Sequence, residues 1–223
     1  MNFELSRLYN LDCMAAMKQI PDKYFQLAII DPPYGIGESG KDNQRRGNLA
    51  KAKKYKPYYG NDKNAPFKEY FSELFRVSYN QVIFGANHFI ERIPFNSPCW
   101  IVWDKENGAS DFADCELAWT SFKTAVRIFR FKWQGMLQGD MQHKELRIHP
   151  NQKPVKLYEW LLTRYAKPGD KILDTHVGSA SSLVACYNLG FDFLGFEIDR
   201  FYFEQASQRL KEAQAQLRLF DFV

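Results

Sequence analysis

Runs of apolar residues divide this chain into short segments whose spacing predicts alternating strands and helices. Residues 25–31, FQLAIID, are almost continuously apolar, as expected of a strand that is buried on both faces of a sheet. The alternating pattern of residues 124–133 predicts a strand closer to a sheet edge. The further strands that we predict lie within 81–87, 99–105, 168–176 and 192–199.

Helical spacing of apolar residues predicts four helices between these strands. They cover 67–79, 153–166, 181–190 and 202–219. Pro154 suits the first turn of its helix, and Gly190 suits a helix end. Strands and helices that alternate in this way predict an α/β layer fold with a mostly parallel sheet.

The composition narrows the class of protein. The chain has 223 residues, enough for one domain with a sizeable core, and 45% of them are hydrophobic. No apolar stretch is long enough to span a bilayer, and the first residues lack the pattern of a signal peptide. Four scattered cysteines and four unclustered histidines predict reduced thiols in a cytoplasmic protein, without a metal site.

Positive charge is concentrated in residues 38–66. This segment has eight basic and three acidic residues, a net charge of +5, so the rest of the chain carries −1. It lacks apolar periodicity, which predicts either a solvated, mobile loop or a loop that binds the phosphates of a nucleic acid. The candidates for phosphate contacts are Arg45, Arg46, Lys51, Lys53, Lys54 and Lys56.

The sequence DPPY, residues 31–34, closes the predicted strand 25–31 with an unusual combination of groups. Asp31 offers a carboxylate, two prolines fix the backbone, and Tyr34 offers a flat ring. A simple turn needs none of these side chains in this combination. We therefore expect the segment to have a chemical role.

A second candidate site begins at the predicted strand that ends at Asp174. A turn of small residues, 178–180, leads from it into a helix, and Glu197 closes the next predicted strand. In doubly wound folds such a turn approaches a nucleotide-like ligand, and the acid closing the next strand binds ribose hydroxyls. Taken alone, the turn is equally consistent with tight packing of a strand against a helix.

Together these motifs resemble those of the amino-group DNA methyltransferases, which use S-adenosylmethionine. DPPY resembles their catalytic motif, and DTHVGSAS at 174–181 resembles their cofactor motif. HPNQKP at 149–154 and the lead-in at 11–34 also match, in the order of the permuted β group. The resemblance implies a single Rossmann-like methyltransferase domain over 1–223, with a mostly parallel central sheet, helices on both faces and circularly permuted motif order.

The resemblance implies methyl transfer to the exocyclic N6 amine of an adenine that is flipped out of double-stranded DNA. Such an amine is a poor nucleophile, because its lone pair is delocalised into the ring. Asp31 and the Pro32 carbonyl would each accept one amine hydrogen, Pro33 would keep the motif rigid, and Tyr34 would stack on the base. Asp at the first position favours adenine, since cytosine-N4 enzymes more often carry Ser there.

The resemblance also assigns a site for S-adenosylmethionine. Asp174 would face the methionine amino group and Glu197 the ribose hydroxyls, while Asp12 and the Cys13 backbone would meet the adenine ring. The remaining candidates belong to the methionine part of the site and are Asn151, Gln152, Lys153, His176, Gly178 and Ser179.

Three positions depart from the cofactor motif of the family. Thr175 replaces the usual Pro, His176 the usual Phe, and Ala180 the second Gly. These departures leave open the alternative of a nucleic-acid-binding protein with a decayed cofactor site. A cytosine-N4 methyltransferase is a further alternative. The target-recognition region is short, at 134–148, so recognition is expected to depend on the basic loop, a second subunit or a partner.

The sequence QLRLF at 216–220 resembles the peptide by which bacterial replication and repair proteins bind the DNA sliding clamp. Leu219 and Phe220 would fill an apolar pocket, with Gln216 bonding at its rim. Alternatively, Leu217 continues the apolar face of the last predicted helix, and these residues pack on the sheet. Overall the resemblance implies a cytoplasmic enzyme, encoded by a bacterium or a phage, with DNA as its partner.

Overall fold

A computed structural model describes the chain over residues 3–37, 55–58, 62–108, 113–134 and 137–216. The strands in these ranges are β1 (Arg7–Tyr9), β2 (Phe25–Ile30), β3 (Ser78–Phe84), β4 (Trp100–Asp104), β5 (Cys115–Thr120), β6 (Arg127–Arg130), β7 (Trp133–Gln134), β8 (Leu137–Gln138), β9 (Lys171–Asp174) and β10 (Asp192–Phe196). The α-helices are α1 (Cys13–Met17), α2 (Lys68–Val77), α3 (Val155–Tyr165), α4 (Ser181–Asn188) and α5 (Arg200–Ala215).

Most of the strands form one sheet, in the order β1-β10-β9-β2-β3-β5-β4-β6, and β7 pairs with β8 separately. Neighbouring strands of the large sheet are parallel, except that β5 runs antiparallel to both β3 and β4. The apolar sequence of β2 fits its inner position, since a strand covered on both faces has no solvent-facing side. The predicted α/β fold with a mostly parallel sheet is therefore confirmed.

Successive residues of β2 contribute to two cores, one on each face of the sheet. Leu27 and Ile29 belong to a cluster that includes residues of α3, α4 and α5. Ala28 and Ile30 belong to a cluster that includes residues of α1 and α2. Helices therefore cover both faces, as predicted from the sequence.

Most of the predicted elements lie where the sequence indicated, with shifts at their ends. The predicted edge strand within 124–133 is β6, the last strand of the sheet. The strand predicted at 81–87 begins earlier, at Ser78, because α2 ends at Val77 and the chain passes directly into β3. The helix predicted at 202–219 begins at Arg200, where the Asp199 side chain accepts from two backbone N–H groups. The elements that were not predicted are α1, β1, β5, β7 and β8.

Within the ranges that the structure describes, no helix combines the length and apolar character needed to cross a bilayer. Those same residues contain no group of three or more His, Cys, Asp or Glu side chains placed to hold a metal ion. Polar and charged side chains, Asp31 and Asp174 among them, lie at the carboxyl edge of the central strands. The extent of the domain over 1–223 stays a prediction.

Candidate active site

The catalytic and cofactor motifs meet at the carboxyl ends of two adjacent parallel strands. Asp31 directly follows β2, and Asp174 is the last residue of β9. The two strands pair in parallel, with Leu27 opposite Ile172, so both motifs leave the same edge of the sheet. The two motifs, which are far apart in the sequence, therefore begin on neighbouring strands. Doubly wound proteins bind their ligands at such an edge.

Both oxygens of the Asp31 carboxylate have partners within the protein. Lys153 places its Nζ 2.8 Å from Oδ2, and the Tyr34 hydroxyl donates to Oδ1 at 2.7 Å. The side chains of Asp31 and Lys153 are only 15% and 4% exposed. Burial raises the pKa of Asp31 above its ordinary value, although the Lys153 ammonium acts in the opposite direction. The Lys153 amine thus lies at the catalytic motif, and its contact with the cofactor stays a prediction.

A second buried carboxylate completes this group of charges. Glu116, on β5, has Oε2 2.7 Å from Lys153 Nζ and Oε1 2.5 Å from Lys105 Nζ. Burial raises the pKa of Glu116, but the two ammonium groups outweigh it and lower that pKa to about 2. Burial lowers the pKa of Lys153, but its two carboxylate partners outweigh this and raise it. Asp31, Glu116, Lys153 and Lys105 form a charge-balanced group that we call the Asp31 cluster.

The ring of Tyr34 lies against the backbone that follows β3. A methyl group at Gly85 would overlap this ring, so only glycine allows the observed position. The ring of His88 lies nearly parallel to that of Tyr34, with ring centroids 5.3 Å apart. Asp62 accepts hydrogen bonds from the backbone N–H groups of Tyr34 and Gly35, at 2.7 and 3.0 Å. Stacking of Tyr34 on a target base stays a prediction.

Asp174 is buried and hydrogen-bonded, but no Lys or Arg of the described ranges forms an ion pair with it. Its Oδ1 accepts from the backbone N–H of His176 at 2.9 Å, and its Oδ2 accepts from the Ser182 hydroxyl. Burial outweighs these hydrogen bonds and raises the pKa of Asp174 to about 7. A buried carboxylate without a cation fits the predicted contact with a charged amino group.

The turn between β9 and α4 uses left-handed backbone at two positions. Gly178 has a φ of +55°, and its N–H donates to Glu197 Oε2 at 2.8 Å. A side chain there would make ordinary contact with His149, so backbone conformation rather than space favours glycine. Ala180 has a φ of +63° although it carries a side chain. The residue that replaces the usual second Gly of the family therefore stands in a conformation that favours glycine.

Ser179, between these two residues, is fixed by contacts with other segments. Its hydroxyl lies 3.1 Å from the Ser181 hydroxyl, and its carbonyl accepts from Arg209 Nη1 at 2.8 Å. Arg209 also forms an ion pair with Glu145, at 2.6 Å. Arg209 of helix α5 therefore stabilises the turn through a hydrogen bond to its backbone. The hydroxyl of Ser179 is buried and contacts that of Ser181.

The ends of β10 and of the lead-in segment meet near this turn. Glu197 directly follows β10, and its Oε1 accepts from the Asp199 backbone N–H at 2.8 Å. Burial raises the pKa of Glu197. Asp12 caps α1 by accepting from the Ala15 backbone N–H at 2.9 Å. Burial, helped by the charges of Asp12 and Glu197, raises the pKa of the Cys13 thiol to about 12. These three predicted cofactor residues therefore lie in one neighbourhood.

Thr175 and His176, two of the departures from the family motif, form a packed contact with α2. The Tyr70 hydroxyl lies 2.5 Å from Thr175 Oγ1, and His176 Nδ1 lies 3.0 Å from the same atom. The rings of Tyr70 and His176 meet edge to face, with centroids 5.4 Å apart. Burial lowers the pKa of His176 to about 4, so the ring is neutral near neutral pH. The replacements are thus accommodated by a specific contact.

Residues of the motif at 149–154 contact other segments near the site. Gln152 is buried, and its side chain bonds the backbone of residues 146–148. The Asn151 amide donates to the Tyr58 hydroxyl at 3.2 Å, and the rings of Tyr58 and His149 have centroids 5.3 Å apart. Burial lowers the pKa of His149 to about 3. Contact of Asn151 and Gln152 with a cofactor stays a prediction.

Several predicted residues lie outside the described ranges. They are Arg45, Arg46, Lys51, Lys53 and Lys54 of the basic segment, and Leu217, Leu219 and Phe220 near the C-terminus. Lys56 is described, with Nζ 4.9 Å from the centroid of the Phe201 ring, and Gln216 directly follows α5. Phosphate binding by the basic segment and clamp binding by residues 216–220 stay predictions.

Four residues near the two motifs were not predicted from the sequence: Glu116, Lys105, Asp62 and Ser182. One signal was available for Glu116, which stands in the strand sequence CELAWT, where a buried acid needs a cationic partner. No local pattern marks Lys105 or Asp62, because each contacts residues that are distant along the chain.

Comparison with known proteins supports the resemblance that the motifs indicate. The DNA methylase family model, named for N6 and N4 methyltransferases, matches residues 113–208. The type II methyltransferase M.HinfI of Haemophilus influenzae is 24% identical, over 93% of this chain and 69% of its own length. The sequence similarity therefore extends well beyond the short motifs.

Two solved structures share the fold. The complex of M1.HpyAVI with SAM has a TM-score of 0.54 and 22% identity, over 92% of this chain and 99% of that chain. The cytosine-N4-specific PvuII DNA methyltransferase has a TM-score of 0.58 and 12% identity, over 92% and 90%. The predicted Rossmann-like methyltransferase fold and the resemblance to S-adenosylmethionine-dependent DNA methyltransferases are confirmed.

Proposed function

We propose that this protein transfers a methyl group from S-adenosylmethionine to the exocyclic N6 amine of adenine in DNA. The observation that carries the proposal is the pair of buried strand-end carboxylates, Asp31 and Asp174, on adjacent parallel strands. One stands in a motif suited to an amine, and the other stands beside a glycine turn suited to a cofactor. The family model and the curated relative support the same class of reaction.

The residues that follow β9 and β10 fit S-adenosylmethionine, whose methionine part carries an ammonium group. Asp174 is a buried carboxylate that lacks a Lys or Arg partner among the described residues. Glu197 accepts one backbone N–H on each oxygen, which leaves further lone pairs for ribose hydroxyls. When bound, the cofactor supplies an electrophilic methyl group.

Asp31 and the DPPY backbone orient the amine in this proposal. Amine hydrogens bonded to the Asp31 carboxylate and the Pro32 carbonyl favour a pyramidal nitrogen with an available lone pair. The nitrogen would take the methyl group that the bound cofactor supplies, and it would lose one proton. Asp31 accepts the proton that the nitrogen loses, and its raised pKa brings its basicity closer to this task.

The DNA must present the base outside the helix, because its amine is otherwise hidden in a base pair. We infer that Tyr34 then stacks on the base and that the basic segment 38–66 contacts phosphates. Residues 216–220 are proposed to dock on a sliding clamp. A single domain over 1–223 is a further proposal that follows from the resemblance. A homodimer is also proposed, because a second subunit would supply recognition that the short region 134–148 does not.

A cytosine-N4 product is the second candidate, because the matching family model is named for both N6 and N4 methyltransferases and the PvuII enzyme, which shares the fold, is cytosine-N4-specific. The two candidates share a reaction and a site, so the fold does not distinguish them. The Asp at the first position of DPPY supports adenine.

The deciding experiment identifies the methylated base. Unmethylated genomic DNA is incubated with the protein and isotopically labelled S-adenosylmethionine, then digested to nucleosides and analysed by mass spectrometry. We expect labelled N6-methyladenine, whereas labelled N4-methylcytosine would establish the second candidate. If neither base is labelled, calorimetry with S-adenosylmethionine tests for a decayed cofactor site, which would show no binding.

A further inference from the structure

We propose that Lys153 and Glu116 are positioning residues that fix the orientation and the charge of the Asp31 carboxylate before the substrate amine binds. This inference rests on the proposed function, since it assigns Asp31 the role of accepting hydrogens from that amine. Neither residue was predicted from the sequence to act on Asp31.

The first argument is the arrangement of hydrogen bonds. An ammonium group has three N–H donors, and Lys153 Nζ has three acceptors: Asp31 at 2.8 Å, Glu116 at 2.7 Å and the Tyr34 hydroxyl at 3.2 Å. These acceptors come from two segments of the chain, the DPPY motif at 31–34 and strand β5. The position of the ammonium is therefore determined on all sides, and with it the position of Asp31 Oδ2.

The second argument concerns what remains available on Asp31. Its Oδ2 receives Lys153 and its Oδ1 receives the Tyr34 hydroxyl, one donor for each oxygen. A carboxylate has about four lone-pair sites, so each oxygen keeps one for an incoming amine hydrogen. The partners thus orient the carboxylate without saturating it.

The third argument is charge. The Asp31 cluster holds two carboxylates and two ammonium groups, with Lys105 bound to Glu116 on the side away from Lys153. A buried charge that loses its partner is strongly destabilised. Lys153 favours the ionised form of Asp31, whereas Glu116 disfavours it, so the two residues act on the same carboxylate with opposite signs.

Other titratable groups also face this carboxylate from the surrounding elements. They are Tyr34 after β2, Asp174 on β9, Tyr158 on α3 and Tyr58. None of these groups is altered in the variants described below. Opposite shifts in the two variants can therefore be assigned to the residues that were replaced.

The test compares Lys153→Met with Glu116→Gln. The carboxyl carbon of Asp31 is observed by NMR in protein with carboxyl-labelled aspartate, and its signal is identified by its absence from Asp31→Asn. Losing Lys153 should move the titration midpoint of Asp31 to higher pH, and losing the Glu116 charge should move it to lower pH. We expect each shift to be about one pH unit or more.

Lys156→Met is the matched control, because Lys156 also pairs with an acid, Glu159, but lies on the exposed side of α3. It should leave the Asp31 midpoint unchanged. Shifts of the two variants in the same direction, or no shift in Glu116→Gln, would overturn the inference. If Lys153→Met does not fold, the near-isosteric Glu116→Gln decides alone through the predicted downward shift.

A second readout separates this inference from the proposed function. The acidic limb of the profile of kcat/KM against pH, which reports groups of the free protein, should shift with the NMR midpoint in each variant, whereas the KM for DNA at the pH optimum should not change. Absence of methyl transfer by the unaltered protein would contradict the proposed function, while the NMR midpoints would still decide the positioning role. Methyl transfer with unmoved midpoints would overturn the positioning role alone.

Discussion

Asp31 and Asp174 are buried carboxylates at the ends of adjacent strands, but their charges are compensated differently. Lys153 lies 2.8 Å from Asp31, and Glu116 and Lys105 extend that contact into a balanced group. Asp174 instead accepts from a hydroxyl and a backbone N–H, and within the described ranges no Lys or Arg pairs with it. Two aspartates on adjacent strands therefore differ in whether the protein itself supplies a cation to balance the negative charge.

This difference indicates which ligand each carboxylate suits. Asp31 already has a cation, so it can accept hydrogen bonds from a neutral amine without needing further positive charge. Asp174 has a pKa of about 7, so near that pH it is protonated about half the time until a cation arrives. A cationic ligand would therefore gain most at Asp174. The contrast supports an amine substrate at one strand end and a cofactor ammonium at the other.

Replacing Asp31 by Ala is expected to have the largest effect. The variant loses the acceptor of an amine hydrogen and of the released proton, so kcat should fall by about 100-fold or more. The Kd for S-adenosylmethionine should stay within about threefold, because Asp174 and Glu197 are unchanged. Transfer of labelled methyl groups to DNA measures the first quantity, and calorimetry measures the second.

Lys153 keeps Glu116 as a partner in Asp31→Ala, so we expect the variant to fold. Thermal unfolding beside the unaltered protein checks this. A folded variant that kept more than about a tenth of the original kcat, a barrier change below roughly 1.4 kcal/mol, would show that Asp31 is not the acceptor.

Asp174 is expected to make cofactor binding depend on pH. Its pKa of about 7 in the free protein should fall when an ammonium group binds, so affinity should rise as the carboxyl ionises. Between about pH 5 and pH 7 the Kd should decrease by roughly 50-fold, a range in which an α-amino group stays charged. Calorimetric titrations across this range measure the dependence.

Asp174→Asn should bind the cofactor weakly and lose most of this dependence, whereas Asp170→Asn, at the opposite end of β9, should keep it. The free protein should show the opposite trend in stability. A raised pKa stabilises the fold below about pH 4, and that stabilisation is lost as the pH rises through about 7. A pH-independent Kd in the unaltered protein would show that Asp174 does not ionise to bind a cation, so the proposed difference between the two aspartates would be wrong.

Glu197→Gln tests the neighbouring cofactor residue and should have a smaller effect. Both oxygens of Glu197 accept backbone N–H groups, from Gly178 and Asp199. An amide nitrogen cannot accept, so Gln loses one of these bonds and the charge that best accepts from ribose hydroxyls. The Kd for S-adenosylmethionine should rise by about tenfold or more, consistent with roughly 1.5–3 kcal/mol for charged hydrogen bonds.

Glu204→Gln is the control for this measurement, because Glu204 is exposed on α5 and pairs only locally with Arg200. It should bind the cofactor as the unaltered protein does. Equal affinities of Glu197→Gln and the control would show that Glu197 does not bind the ribose, and that another acid near the turn would have to do so.

The fold and the two motifs could be predicted because their signals are local. The apolar run of β2 and the small-residue turn after β9 each lie within one short segment. The position of β5 could not be predicted, because its sequence mixes Glu116 with apolar residues and its pairing with β3 and β4 is antiparallel. Strand pairing depends on contacts between distant segments, which one sequence does not display.

The contents of the site were predictable only in part, for the same reason. The motif places Asp31 and Asp174 at strand ends, but the group that compensates each charge comes from elsewhere in the chain. The motif match assigned Lys153 to the cofactor, and it gave no indication that the ammonium of Lys153 also contacts Asp31 and Glu116. A long side chain reaches several neighbours, so a sequence position alone does not specify which one it contacts.

Ala180→Gly should have the smallest effect on stability and on cofactor binding. It tests whether the turn beside Asp174 is strained. Ala180 has a φ of +63°, a conformation that costs a residue with a side chain roughly 1–2 kcal/mol. Glycine would relieve this cost. It would also add about 0.4–1 kcal/mol of unfolded-state freedom and remove a buried methyl group worth about 0.8 kcal/mol.

Because these contributions nearly cancel, the free energy of unfolding should change by less than about 1 kcal/mol in Ala180→Gly. The Kd for the cofactor should change by less than about threefold.

Denaturant unfolding measures the free energy of unfolding, and calorimetry measures the Kd. Ala180→Val, which has a branched side chain at the same φ, is the contrasting variant and should be clearly destabilised. A gain of more than about 2 kcal/mol in Ala180→Gly would show that strain dominates and that this departure from the family motif weakens the turn. A neutral result would mean that the turn tolerates alanine, because the packing of its methyl group offsets the strained backbone.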